Sequence, residues 1–171
     1  LDWFPNIDAF KWFYSEIFPD LKKRYPSVIL NVVGKNPPEE IKNIADPSVR
    51  ILGMVDDARP FFRKAHACVV PLRIGGGMRI KILEMFAMKK AVVSTSIGAE
   101  GINVEHNRHL LLADTKTEII ESIARLFDEE ALPEKLGTEG YNLVCNKYSW
   151  PSIAEQLEKI YLEKINNYNE K

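Results

Sequence analysis

Three adjacent glycines, Gly75, Gly76 and Gly77, stand in the stretch RIGGGMRIKILEMFAMKK, Arg73 to Lys90. Arg73 precedes them, Met78, Arg79 and Lys81 follow, and Glu84 comes about two helical turns later. Glycine tolerates positive φ and places no Cβ in the way of an approaching group. A helix N-terminus offers unpaired N–H donors and about half a positive charge. Combined, the two make an anion site, with phosphate as the usual guest, and Arg73, Arg79 and Lys81 add charge suited to a diphosphate. The spacing is neither that of a Walker A loop nor G-x-G-x-x-G, so a purely structural turn stands as the alternative. Glu84 also has two readings. It is either a partly exposed helix residue paired with Lys81 one turn back, or a carboxylate that accepts hydrogen bonds from a pair of ligand hydroxyls, as an acid does for ribose.

Other reactive residue types point less far. Asp56 and Asp57 suit helix capping. His66 precedes an apolar run and reads as a packed or surface histidine; His106 and His109 have no cysteine or carboxylate cluster to complete a metal site. Cys68 and Cys145 read as two buried thiols in a reducing compartment. Lys22, Lys23 and Arg24 close a helix and suit its dipole. Trp3 and Phe4 precede the first helix and are placed at a loop edge or a domain junction. The 171 residues suit one domain, and the net charge of -1 offers no electrostatic case for nucleic acid or an anionic membrane. No apolar run is long enough to span a bilayer.

These groups must be positioned by the elements around them. Ile7, Phe10, Phe13, Tyr14, Ile17 and Leu21 fall at helical steps. Asn6 or Asp8 is the expected N-cap and Pro19 the expected kink. SVILNVVG, SVRILG, ACVVPL, AVVSTS and HLLLA read as strands, several apolar on both faces as in parallel sheets. Helices are expected at PPEEIKNIA, at DDARPFFRKAHA, from the glycines to about Met88, and over about 116–128, 131–147 and 150–168. The polar ending NNYNEK reads as frayed. Alternating strands and helices predict a doubly wound, parallel α/β sheet with a helical tail. Ligands of such sheets bind beyond the carboxyl ends of the strands. Here that edge would carry GKNPP, GMVDD, RIGGG and SIGAEGI.

The run VVPLRIGGGMRIKILEMFAMKKAVVSTSIGAEGI resembles the signature region of glycosyltransferase family 4, within the group 1 type enzymes. LDWFPNIDAFKWFYSEIFP, VRILGMVDDARPFF and YSWPSIAEQLEKIY resemble the opening, middle and closing helix of the same C-terminal domain. The resemblance implies a Rossmann-like half of a GT-B enzyme, which binds a nucleotide-diphosphate sugar and transfers its sugar with retention, without a metal or other cofactor. The acceptor, a saccharide or lipid, would be held by a separate N-terminal domain. On this reading residues 1–171 are the donor-binding domain, its first strand ends just before Leu1, and as an isolated piece it transfers little.

Carried over by position, the loop from Gly75 through Met78 to Arg79 holds the diphosphate with help from Arg73 and Lys81. Glu84 binds the ribose, and Gly34, Lys35, Met54 and Val55 lie near the base. The family's other glutamate, a sugar contact, falls where this chain has Gly76. Two further readings stay open: an epimerase or hydrolase half of the same fold, for which the edge offers Glu100 and His66, and a non-catalytic nucleotide-binding module. The absence of a signal segment and the unpaired-looking cysteines lead to the expectation of a cytoplasmic protein, held against the inner face of a membrane through the missing half.

Overall fold

A computed structural model of the chain describes residues 1–169. It opens with one long helical run in three parts: α1 (Phe4–Trp12), a π-helical turn (Phe13–Ile17) and α2 (Phe18–Arg24). Pro19 has no N–H to give, and the wide turn directly before it absorbs the missing bond. The Phe18 N–H donates to Phe13 O, and Ile17, Phe18 and Leu21 stay buried. The expected kink is therefore a local widening. The N-cap is Trp3, and Pro5 lies in the first turn. Asn6 and Asp8, expected as caps, spend their side chains on tertiary partners described below.

β1 (Leu30–Val33), α3 (Glu39–Lys42), β2 (Val49–Gly53), α4 (Arg59–Lys64) and β3 (Cys68–Val70) follow. Then come α5 (Ile80–Ala87), β4 (Val92–Ser94), β5 (Leu111–Leu112), α6 (Lys116–Asp128) and α7 (Leu132–Leu143). All strand pairs are parallel, as the apolar runs predict. They form two sheets where one was expected: β1 pairs with β2, and β3-β4-β5 pair separately. One core nevertheless joins them. Leu30, Val32 and Ile51 from the first sheet pack on the same cluster as Val93 and Leu111 from the second. Val92 and Val93 are both fully buried, so β4 is covered on both faces.

α7 seats α5. Gly140 faces Phe86, and a Cβ there would lie 2.5 Å from Phe86 Cδ1. The chain ends in a second π-helical turn (Val144–Tyr148) and α8 (Trp150–Asn169). The ending read as frayed is helical through Asn169; Glu170 and Lys171 lie outside the described residues. The cysteines differ from expectation. Cys68 is buried in β3, where burial pushes its thiol up to about 11. Cys145 is exposed, because the turn that carries it leaves it on the outer side.

Candidate functional site

Parallel pairing delivers the strand ends to one edge. β1 and β2 end together, with the Gly34 N–H donating to Gly53 O at 2.9 Å, so Gly34 and Lys35 lie beside Met54 and Val55. Met54 is 78% exposed. In the second sheet Val70, Ser94 and Leu112 are in register. The glycine loop after β3 and the loop after β4 therefore leave the sheet side by side.

The N-terminal segment ties these loops together. The Leu1 amino group bonds Lys35 O, and Lys35 Nζ pairs with Asp2 at 3.3 Å. Two residues on, the Trp3 ring lies against Arg79, with the guanidinium carbon 5.4 Å from the ring centroid. Asn6 Oδ1 accepts from Lys81 Nζ at 3.1 Å. Asp8 takes Arg73 in a two-bond fork at 3.0 and 2.6 Å, and the same guanidinium stacks on Trp12. Reading the sequence did not single out Asp2, Asn6 or Asp8 for this edge. The signal available was a run of polar residues interrupting DWFPNID just before and within the first helical turn.

Arg79 is the centre of the arrangement. It is only 7% exposed, and its Nη1 donates to Gly76 O at 2.5 Å and Gly77 O at 2.7 Å. Its Nε and Nη2 are buried without a partner among the described residues. A buried unpaired donor on a charged group carries a desolvation penalty that an anion would remove. The glycines make room for it: Gly75 has φ +119, and a Cβ there would lie 2.7 Å from Arg79 Nη2. Lys81 is half-buried; burial, and then the neighbouring Arg79 charge, lower its pKa. Arg79 is also the N-cap of α5 and gives no side-chain cap, so the first-turn N–H groups of that helix face the same region.

The remaining residues sort by position. Glu84 is exposed on α5 and does not pair with Lys81, which is taken by Asn6. Arg73 is committed to Asp8. Asp57 accepts the Arg59 N–H at 2.9 Å in the turn before α4, but the N-cap of that helix is Ala58 without a side-chain cap, so neither Asp56 nor Asp57 caps it as expected. His66 lies before β3, at the end of the sheet opposite the glycine loop, and stacks edge-on to Phe127. His109 is buried and accepts the Glu105 N–H through Nδ1 at 2.9 Å; His106 Nδ1 accepts from Leu112 N–H. Among the described residues no group of histidines, cysteines and carboxylates could hold a metal ion, and no helix is long and apolar enough to cross a membrane.

The profile of the family described as glycosyl transferases group 1 matches residues 2–129. This chain belongs to that family. Among curated relatives it is similar to the capsular polysaccharide biosynthesis glycosyltransferase CapM of Staphylococcus aureus, 31% identical over 119 residues, 68% of this chain and 31% of CapM. The chain spans under half the length of the curated relatives it matches. Its fold is that of the C-terminal domain of the group 1 protein LpcC from Francisella tularensis, with a TM-score of 0.68 at 22% identity, covering 83% of this chain and 80% of that one. It also matches HepE of Anabaena, solved in complex with UDP, with a TM-score of 0.73 at 16% identity, over 90% of this chain and 46% of HepE. In this chain the glycine loop and Arg79, the N-cap of α5, follow β3 at the carboxyl ends of the parallel strands.

Proposed function

We propose that the chain is the donor-binding half of a retaining glycosyltransferase that takes its sugar from a nucleotide-diphosphate sugar. The observation that carries this is the Arg79 guanidinium, buried beneath the glycine loop with two nitrogens, Nε and Nη2, that have no partner among the described residues. On this reading the Gly75–Arg79 loop, Lys81 and the first turn of α5 hold the diphosphate. Glu84, one face further along the helix, accepts from the ribose hydroxyls, and Gly34, Lys35, Met54 and Val55 border the base. Breaking the sugar–phosphate bond builds negative charge on the departing diphosphate. Fixed cations and helix N–H groups stabilise that charge more as it develops, the form of stabilisation that accelerates a reaction. A separate domain holds the acceptor, a saccharide or lipid, and the donor half alone transfers little. No metal enters this scheme.

The similarity to HepE, solved with UDP, supports a nucleoside diphosphate as ligand. An epimerase or hydrolase half would need more than one catalytic group at the sugar; of Glu100 and His66, His66 sits at the opposite end of the sheet and only Glu100 lies beside the glycine loop. The test is calorimetric titration of the chain with UDP, GDP and ADP. One of them should bind, and Glu84→Ala should weaken it about tenfold, the worth of a hydrogen bond to a charged group, with the thermal midpoint unchanged. Absence of binding by all three would overturn the reading. Unchanged affinity in the variant would remove Glu84 from the site.

A further inference from the structure

Two loops of the edge touch. Gly101, with φ +81, sits against the glycine loop: a Cβ there would be 3.2 Å from Met78 Cα and 3.4 Å from Met78 N. This contact sets the residue before it, Glu100, beside the loop, and a Cβ on Gly76 would lie 3.9 Å from Glu100 Oε2. The turn that carries Glu100 is firmly held. The Gly98 N–H donates to Thr95 Oγ1 at 2.9 Å, the Ala99 N–H donates to Thr95 O at 3.0 Å, and Thr95 and Gly98 are buried.

The carboxylate itself has no hydrogen bond or ion pair among the described residues, although the edge is cationic. Arg73 is forked onto Asp8, Arg79 Nη1 is taken by two glycine carbonyls, and Lys81 is bonded to Asn6. A free carboxylate beside an anion loop opposes a phosphate. It suits the neutral, hydroxyl-rich group attached to that phosphate, because an ionised carboxylate only accepts and can take two neighbouring hydroxyls at once. Gly76 leaves open the space between the loop backbone and that carboxylate.

We infer that Glu100 is a specificity-determining residue that accepts hydrogen bonds from hydroxyls of the donor sugar above Gly76. This rests on the donor-binding reading proposed above. Glu100 is exposed, so Glu100→Gln keeps the fold, its shape and one acceptor while removing the charge.

The experiment titrates the chain and Glu100→Gln with UDP, GDP and ADP and with UDP-glucose, GDP-mannose and ADP-glucose, and reads saturation transfer to ligand protons by NMR. The variant should hold the nucleoside diphosphate as well as or better than the parent chain, since a like charge is gone. It should hold the sugar nucleotide about tenfold more weakly, the scale of one charge-assisted hydrogen bond, with saturation lost at sugar protons and kept at base protons. Opposed shifts of this kind do not arise from a merely structural change. If both affinities move together, or neither moves, the assignment of Glu100 fails while nucleotide binding stands. If the parent chain binds none of the six, the donor-binding reading fails and takes this inference with it.

Discussion

At the scale of single residues, the edge combines one group held at a cost with others held at rest. Arg79 is buried with two idle donors, whereas Arg73 is fully engaged by Asp8 and Trp12. Replacing a buried, incompletely paired charge by an apolar side chain of similar size is often neutral for stability. Arg79→Met is therefore expected to change the unfolding free energy by less than about 1 kcal/mol while lowering nucleoside diphosphate affinity at least tenfold. Urea unfolding and calorimetry on the same variant check both halves.

His109 gives a separate pH signature. Burial, and then the Arg108 charge, hold its pKa below 6.5, and its Nδ1 already accepts the Glu105 N–H. The folded state thus binds fewer protons than the unfolded chain, whose histidine titrates near 6.5. Stability from this group is complete above 6.5, and is lost as pH falls from there through the folded value. The thermal midpoint should drop between pH 7 and 5, and His109→Gln should flatten that part of the curve.

At the scale of elements, the glycine loop is only as well placed as α5, and α5 is placed by α7. Gly140 lets the two helices close to the point where a Cβ would lie 2.5, 2.9 and 3.0 Å from three atoms of the Phe86 ring. Phe86 is fully buried and has nowhere to turn. Gly140→Ala would gain up to about 1 kcal/mol of helix propensity. Overpacking a rigid core costs about 1–3 kcal/mol, so the net effect should be destabilising by about 1–2 kcal/mol, measured by denaturant unfolding. Nucleotide affinity should fall as well, because α5 carries Arg79 at its N-cap and Glu84 a little over one turn in.

At the scale of the whole molecule, α8 stands apart from the core. Trp150 is 85% exposed, and Ile153, Leu157, Ile160, Tyr161 and Ile165 are exposed along the same helix. Because these side chains bury little against the domain, ending the chain after Ser149 should shift the thermal midpoint by no more than about 2 °C, the equivalent of less than 1 kcal/mol at this size. A larger loss, seen by calorimetry, would mean that α8 supports the core.

Much of this protein follows from its sequence alone. The period of apolar residues fixes which segments are helix and which are strand, and runs apolar on both faces require a parallel, covered sheet. That in turn puts the loops after β1–β4, with Gly75–Gly77 and Arg79, at the carboxyl ends of the strands. These are local properties, set by backbone geometry and side-chain solubility. What the sequence left open depends on which polar groups meet across long separations. Asn6 and Asp8 have the chemistry of helix caps, yet their partners are Lys81 and Arg73, more than sixty positions away. Arg73, Arg79 and Lys81 are alike as sequence symbols; only tertiary packing makes one an engaged structural fork and another a buried cation without enough partners. Likewise the sequence puts SIGAEGI on the same edge as the glycines, but that Glu100 lies beside Gly76 is decided by the contact of Gly101 with Met78.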